Sequence, residues 1–465
     1  MRLRHRSPVH GLDRRALGPA GVLAQSVSSA APAAAMATVP AIVASTAGPG
    51  TLWSFAVATA VALLIGSCIA QFTRRMAVAG SLYSLTAQGL GPAGAFTCGV
   101  ALLVGYAVLV MAALTGAAIY LDALVARLGI APPGSRAVLV AATCLLALLA
   151  TAGVLVRVRL SARVVLLTEA ASISVMTVVF LVLLASPAPG TVGTVPDAGL
   201  TGVAAGVLPA LGAFIGFEAA TALGVEARRP FRTVPRVVLW TAGAAGVLYL
   251  FAAWTQVSRA AGPGVPAPVL DLVMGERWLA VLLDVGIATS FAACALATLN
   301  ALVRVVFSMA RDRIVPRALG ATHPVLRTPW IAAAVALPVV AAVPGLLLAA
   351  GLPGQRVLAE LLTVATAGYL VAYLLVCVAA PLFLRRIGEL TRWPVVATAV
   401  VAPVLLTVLG AFVAQAWGGA VPLVIGACAL GGLAWFVALR RLRPERLAAI
   451  GAYDETTRDD VLVAP

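Results

Sequence analysis

The sequence predicts an all-α integral membrane protein with twelve transmembrane helices. Hydrophobic residues make up 62% of its 465 residues, charged residues make up 11%, and the mean hydropathy is +1.05. Soluble domains contain about twice that share of charged residues. Long charge-free stretches alternate with short arginine-containing segments, and a membrane helix needs about 20 apolar residues. Chain length therefore predicts a number of spans here, not a number of soluble domains.

The charge-free stretches locate the spans. No charged residue lies between Arg15 and Arg74, and this stretch divides at the turn signal in residues 46–50 (Thr-Ala-Gly-Pro-Gly). The stretch between Arg392 and Arg440 divides near Gly418 and Gly419. The predicted spans are 21–45, 52–73, 93–121, 137–156, 164–186, 201–225, 237–257, 279–309, 329–350, 357–384, 393–416 and 419–439.

The arginines predict the orientation and the tails. The chain has no lysine, and 27 of its 32 arginines fall on one side of the predicted spans. Because positive residues concentrate on the inner face, both termini are predicted to be cytoplasmic in a multi-pass cell-membrane protein. The predicted organisation is a tail at 1–18, a membrane domain at 19–440 and a tail at 441–465. The net charge of +15 does not indicate a nucleic-acid partner, since the arginines lie in short loops without an aromatic-basic surface.

Two predicted spans contain residues that interrupt a helix. The sixth holds Gly212, Gly216 and Glu218, and the first half of the first span holds three serines, Gln25 and Pro32. Lipid offers no partners for freed backbone groups, so such interruptions are tolerated where they line a cavity. Breaks at matching positions five spans apart indicate a transporter binding site. Free N–H groups at one helix end attract a carboxylate, and free carbonyls at the other attract an ammonium group. The alternative is that these small residues only allow close helix packing.

Two motifs resemble those of the amino acid–polyamine–organocation permeases. The first is residues 214–218 (Phe-Ile-Gly-Phe-Glu), followed by Glu226 and by 229–236, with Arg-Pro at its start and Val-Pro-Arg at its end. The second is 300–304 (Asn-Ala-Leu-Val-Arg) with 309–316 (Met-Ala-Arg-Asp-Arg-Ile-Val-Pro). They are similar to the sixth helix and the eighth helix of that family with the loops that follow, and the span count agrees over essentially the whole chain.

The resemblance implies a leucine-transporter-like fold with helices 1 and 6 broken. It implies two inverted five-helix repeats, at about 21–186 and 201–384, and two extra helices within 393–439. It also implies that the breaks hold the amino and carboxyl groups of a substrate. By position the candidate binding residues are Ser28, Ser29, Ala30, Ala31, Ala33, Phe214, Ile215, Gly216 and Phe217.

The sequence departs from the family pattern at two places. The family's first helix usually breaks at a glycine-rich sequence, whereas the nearest match here is Ala31-Pro32-Ala33. Some members place an aromatic gate where this chain has Gly212. A wider pocket, or a gate supplied by Phe214 or Phe217, is therefore expected.

Ionisable side chains within membrane spans are functional candidates, because burying them is costly. Glu218 follows the sixth-span break, and we expect it to support the break or to act on protons or substrate. Glu169 stands alone in the fifth span, where a desolvated carboxylate can bind and release a proton or hold a structural hydrogen bond. Some relatives use a lysine there, which this chain lacks. Two further carboxylates, Asp284 and Glu360, lie nearer span ends, and Arg304 is predicted to reach the cytoplasmic interface.

The predicted function is that of a secondary permease for amino acids, coupled to protons and working by alternating access. A polyamine or amine carrier and an exchanger are alternatives, and sodium coupling through Thr289 and Ser290 stays open. A membrane-embedded enzyme is disfavoured because no histidine lies in a span, and a pump because there is no phosphate-binding loop. Neither a repeated filter sequence for a channel nor a cysteine or histidine pattern for a metal or cofactor is present.

Overall fold

The computed structural model describes residues 11–156, 158–185, 199–259, 269–273, 275–415 and 420–451, and the regular elements within these ranges are helices. A single bridge between Leu17 and Ala227 is its nearest approach to a sheet. Short 3₁₀ turns cover Gly48–Gly50, Ala219–Leu223 and Arg317–Gly320. The α-helices are α1 (Pro19–Ala30), α2 (Pro32–Ala47), α3 (Thr51–Thr73), α4 (Ser81–Arg127), α5 (Arg136–Leu155), α6 (Val158–Ala185), α7 (Leu200–Gly212), α8 (Pro230–Ser258), α9 (Val269–Val273), α10 (Arg277–Arg311), α11 (Trp330–Ala349), α12 (Gly354–Arg386), α13 (Arg392–Gln415), α14 (Ala420–Leu442) and α15 (Pro444–Ala448).

The helices have the composition of membrane spans. Within the described ranges, ten helical stretches are long and apolar enough to cross a bilayer, and one of them runs from Pro19 to Thr73. Many large apolar side chains point outward, among them Trp53, Trp240 and Leu423, which are 63%, 71% and 77% exposed. Water would disfavour such a surface, whereas lipid covers it at no cost. The prediction of an all-α multi-pass membrane protein is confirmed.

The first predicted span is two helices joined end to end. The chain leaves α1 at Ala30, takes a left-handed conformation at Ala31 (φ +46°, ψ +56°) and enters α2 at Pro32. Proline has no N–H to donate and fixes a helical φ, so it is favoured at a first helical position. The proline of the Ala31-Pro32-Ala33 sequence thus sits at the boundary between the two helices.

The sixth predicted span ends its α-helix early. Helix α7 stops at Gly212, a run of turns follows, and Gly216 has φ +92°. Beyond it lies the 3₁₀ segment Ala219–Leu223. At about 1.5 Å per residue, the 13 residues of α7 reach only about two thirds of the way across a 30 Å hydrocarbon layer.

The interrupted segments lie inside the bundle. Helix α1 packs against α6, α8 and α10, while α2 packs against α7, α8 and α10. The long helix α4 lies along α10 and α12. By contrast, α14 contacts α4, α12 and α15, and no residue of its most apolar 18-residue stretch is buried. The backbone breaks therefore lie inside the bundle among α6, α8 and α10, whereas α14 lies at its outer face.

Two sequence predictions differ from the structure. Helix α4 begins at Ser81, well before the predicted residue 93, because it continues through a kink at Gly91 (φ +72°) and Pro92. Arg304 does not reach an interface: it is 1% exposed and donates two hydrogen bonds to Glu226, at 2.7 and 3.0 Å. A buried guanidinium needs a carboxylate partner at close range, and the turn after the sixth span supplies it.

Candidate functional site

The two helix breaks touch each other. Gly216 is so close to the first break that a Cβ atom built on it would lie 2.6 Å from the Ser29 carbonyl oxygen. The Ser26 hydroxyl donates to the carbonyl of Phe217. From α8, the Tyr249 hydroxyl lies 2.8 Å from the Ala213 carbonyl oxygen and 3.5 Å from that of Ala30. Side chains of the bundle thus satisfy backbone groups that the breaks release.

Glu218 is surrounded by donors. Its carboxylate accepts hydrogen bonds from the hydroxyl groups of Tyr106 on α4, at 2.8 Å, and Tyr373 on α12. The Tyr373 hydroxyl also accepts the N–H of Gly216 at 3.2 Å. All three side chains are at least 97% buried. Glu218 therefore links the sixth-span break to two other helices.

The first break is bound to α10. The Ser29 hydroxyl lies 3.0 Å from that of Thr298, and the Cys294 thiol donates to the Ser29 carbonyl at 3.2 Å. One turn earlier on α1, the Gln25 amide donates to the Ala297 carbonyl and accepts from Asn300. These α10 contacts, like the tyrosines at Glu218, lie far away in sequence. Asn300 belongs to the second motif, but that motif did not predict its partner on α1.

Glu169 lies at the beginning of α2. It is 2% exposed, and its Oε1 atom accepts a hydrogen bond from Ser290 of α10 at 3.0 Å. The Ser290 hydroxyl in turn accepts the N–H of Ala34 at 3.3 Å. The second oxygen, Oε2, is buried without a hydrogen-bond partner. The fifth span thereby brings a carboxylate to the first break, which sequence spacing alone did not predict.

A cavity of about 780 Å³ reaches this carboxylate between α1, α6 and α8. Its wall includes Ser28 and Ala30 of the first break together with Glu169. In contrast, Phe214 and Phe217 are packed in the core at 1% and 0% exposed. The predicted site residues are thus close together, but this cavity borders only the first break.

The remaining candidate groups have partners elsewhere. Asp284 accepts from Arg127 at 2.6 Å, and the partly exposed Glu360 accepts from Arg356 one turn away at 2.8 Å. Of the two candidate sodium ligands, Ser290 binds Glu169, and the Thr289 hydroxyl lies 2.8 Å from that of Ser172. The Asp284 and Glu360 contacts involve no residue of either break.

Comparisons with a family model and with known relatives point to the same protein family. The model of a family described as amino acid permease matches residues 20–434. The chain is 28% identical over 311 residues to the branched-chain amino acid permease BcaP of Bacillus subtilis, which covers 62% of this chain and 65% of the relative. It is 29% identical over 320 residues to the human cationic amino acid transporter 4, in an alignment that covers 61% of this chain and 47% of that relative. Each alignment spans less than two thirds of the relative's length.

The fold also resembles that of a solved transporter. The manganese transporter of Eremococcus coleocola superposes with a TM-score of 0.54 over 93% of this chain and 95% of the other, at 14% identity. Identity at that level supports a shared fold and not a shared substrate. The relatives and the structural neighbour are transporters and not enzymes, in agreement with the sequence prediction.

Replacement by alanine should destabilise the protein at Gly216 but not at Gly212. The Gly216→Ala variant places a methyl group against Ser29 and strains a left-handed backbone, whereas a Cβ on Gly212 would meet only the Thr366 hydroxyl, at 3.6 Å. We expect Gly216→Ala to lower the thermal unfolding midpoint of the purified protein. Gly212→Ala should leave the midpoint within about 2 °C, which in a large domain corresponds to a change in unfolding free energy of less than about 0.5–1 kcal/mol. Equal midpoints for both variants would contradict the observed contact.

Removing the Tyr373 hydroxyl should destabilise the sixth-span break. The Tyr373→Phe variant leaves Glu218 and the Gly216 N–H each short of a buried partner, at a cost of about 1–3 kcal/mol. Tyr369 offers a matched control, because its buried hydroxyl has no hydrogen-bond partner while its ring packs against Tyr373. Thermal unfolding should show a loss for Tyr373→Phe and little change for Tyr369→Phe. A larger loss in the control would refute this role.

Proposed function

Because the chain belongs to the amino acid permease family, we propose that it is a secondary transporter that moves amino acids across the cell membrane by alternating access. The observation that carries this proposal is the meeting of two helix breaks inside the bundle, at Gly216 and Ser29. Irregular backbone at membrane depth is a feature of transporter binding sites. The alternative of close packing alone does not account for the carboxylates and tyrosines gathered at the breaks.

The proposed architecture has twelve spans. Two lie in the stretch Pro19–Thr73, the sixth is α7 with the turns after it, and the other nine long helices are one span each. An even number places both termini on one side, and the arginine distribution makes that side cytoplasmic. The membrane domain is 19–440, with inverted repeats at about 21–186 and 201–384 and extra helices within 393–439.

The proposed substrate site lies between the two breaks. It is formed by Ser28, Ser29, Ala30, Ala31 and Ala33 on one side and by Phe214, Ile215, Gly216 and Phe217 on the other. Carbonyl groups at helix C-termini suit the substrate's ammonium group, and amide N–H groups at helix N-termini suit its carboxylate. Gly212 faces Thr366 of α12, whose hydroxyl would lie 3.6 Å from a Cβ atom at that position, and the missing side chain leaves the pocket wider there.

Protons are the proposed coupling ion, and Glu169 is the proposed carrier. Its burial, its single side-chain donor and its unpartnered second oxygen suit a group that changes between charged and neutral forms. Glu218 differs because its oxygens already accept two tyrosine hydroxyls. The hydroxyls of Ser290 and Thr289 are engaged by α6, which favours protons over sodium at this position.

An amine or polyamine carrier is the second candidate. The observation that favours it is the presence of two buried carboxylates, Glu169 and Glu218, beside breaks that offer carbonyl oxygens. Negative groups of this kind attract cationic cargo. An exchanger of amino acids uses the same site without a net proton movement.

Uptake into vesicles tests the function. Reconstituted protein is expected to accumulate radiolabelled leucine or arginine, and to do so faster when the vesicle interior is alkaline relative to the medium. A parallel arm with putrescine distinguishes the amine carrier, and preloaded vesicles reveal exchange. Absence of uptake and exchange in every arm would disprove the permease proposal.

Glu169→Gln should separate transport from coupling. The amide keeps the size of the side chain but cannot cycle a proton, so we expect downhill exchange to continue while acceleration by the pH gradient disappears. Glu360→Gln is the matched control, because that carboxylate is partly exposed and paired with Arg356. If the Glu169 variant keeps its full response to the gradient, Glu169 has no part in coupling.

A further inference from the structure

The first turn of α2 has few free amides. Pro32 has no N–H, and the Ala35 N–H donates back to the Ala31 carbonyl at 2.9 Å. Ala31, at the N-cap position, has no side chain that could accept from the remaining groups. The amides of Ala33 and Ala34 are therefore the ones available to bind an anion at this helix end.

Both of these amides already face groups brought by other helices. The Ala34 N–H donates to the Ser290 hydroxyl at 3.3 Å, and that hydroxyl donates to Glu169 at 3.0 Å, which brings the carboxylate close to the Ala33 N–H. Glu169 and Ser290 together do what an N-cap side chain does, although they come from α6 and α10. A carboxylate at this position also interacts favourably with the positive end of the 16-residue helix.

The arrangement is only half satisfied. Glu169 is 2% exposed, yet its Oε2 atom has no hydrogen-bond partner. A fully buried carboxylate normally accepts several hydrogen bonds, and leaving one oxygen unpaired is costly. The helix end and one hydroxyl stabilise the charged form of Glu169. Protonation of Glu169, or a second anion at the helix end, can therefore displace the carboxylate from this position.

Among the described residues around the N-terminus of α2, Glu169 is the acidic side chain that lies at this helix end. The described parts of α1 and α2 contain no ionisable side chain. From α8, Tyr249 lies near Glu169 and Arg236 lines the mouth of the adjoining cavity, while α10 contributes Cys294. Asp284, earlier on α10, is paired with Arg127. Tyr249 and Cys294 donate to backbone carbonyls of the breaks, not to Glu169.

We propose that the Glu169 carboxylate occupies the N-terminus of α2 as an internal substitute for the substrate's own carboxylate, and that a proton on Glu169 releases this helix end to the substrate. The inference rests on the proposed function and specifies its coupling step. A substrate with a carboxylate and the charged Glu169 compete for the same helix end, which Glu169 approaches beside Ala33 and, through Ser290, at Ala34. Two anions are not stable together at one helix end.

The proton balance is simple. One proton passes from water to a Glu169 oxygen, the neutral carboxyl group loses its attraction to the helix end, and the substrate carboxylate takes over the amides of Ala33 and Ala34. When the substrate leaves, the proton returns to water and Glu169 binds the helix end again. One proton and one carboxylate therefore move together, and a substrate without a carboxylate has no such linkage.

The test compares amino acids with their decarboxylated analogues. Binding of leucine and of 3-methylbutylamine, and of arginine and agmatine, is measured to the full-length protein in vesicles from pH 5.5 to 8.5. For the amino acid that binds, we expect the affinity to fall with rising pH toward a limit of about tenfold per pH unit, as linkage to one proton requires. The analogue should bind with an affinity that does not follow this slope.

Variants assign the slope to Glu169. In Glu169→Gln the pH dependence of amino acid binding should disappear, and in Glu360→Gln it should stay as in the unmodified protein. Ser290→Ala removes a donor to the charged Glu169, so it should strengthen amino acid binding at high pH. This second variant keeps the test valid if Glu169→Gln does not fold.

The outcomes are distinct. Amino acid binding without a pH slope, an equal slope for the decarboxylated analogue, or an unchanged slope in Glu169→Gln would each overturn the competition while leaving the permease proposal in place. Failure of the unmodified protein to bind either amino acid would overturn both proposals.

Discussion

The structure depends on satisfying backbone groups where helices stop inside a membrane. Lipid supplies no hydrogen bonds, so each released N–H or carbonyl must find a partner within the protein. At the two breaks those partners include side chains from α8, α10 and α12, namely Tyr249, Cys294 and Tyr373. The irregular backbone and the polar side chains around it are therefore one structure, and neither is stable in the bilayer without the other.

Two carboxylates share this work in different ways. Glu218 lies in the broken segment and accepts hydrogen bonds from Tyr106 and Tyr373, so it connects this segment to α4 and α12. Glu169 comes from a separate helix and reaches the first break with one oxygen unpaired. A carboxylate with hydrogen bonds to both oxygens stabilises one conformation, whereas a carboxylate with one unpaired oxygen can take up a proton there. The geometry of their partners, more than their shared chemistry, separates the two roles proposed for them.

Sequence reasoning predicted what depends on local composition. The long apolar helices follow from charge-free length, and the interruptions were predicted from residues that helices tolerate poorly, such as Pro32 and Gly216. It was wrong for Arg304, where span position suggested an interface but a distant Glu226 holds the side chain in the core. It also missed Tyr106 and Tyr373, because an isolated tyrosine in an apolar helix is typical of many buried positions and carries no signal of its partner.

The sequence by itself determined that this is a helical membrane protein of the permease type, since composition and two motifs act within single segments. Only the tertiary structure decided that Gly216 contacts Ser29, and that Glu169 lies at the first turn of α2. Those contacts join residues more than a hundred positions apart, and helix packing in a membrane is set by surface shape that no local pattern records. The identity of each group was readable in the chain, but its neighbours were not.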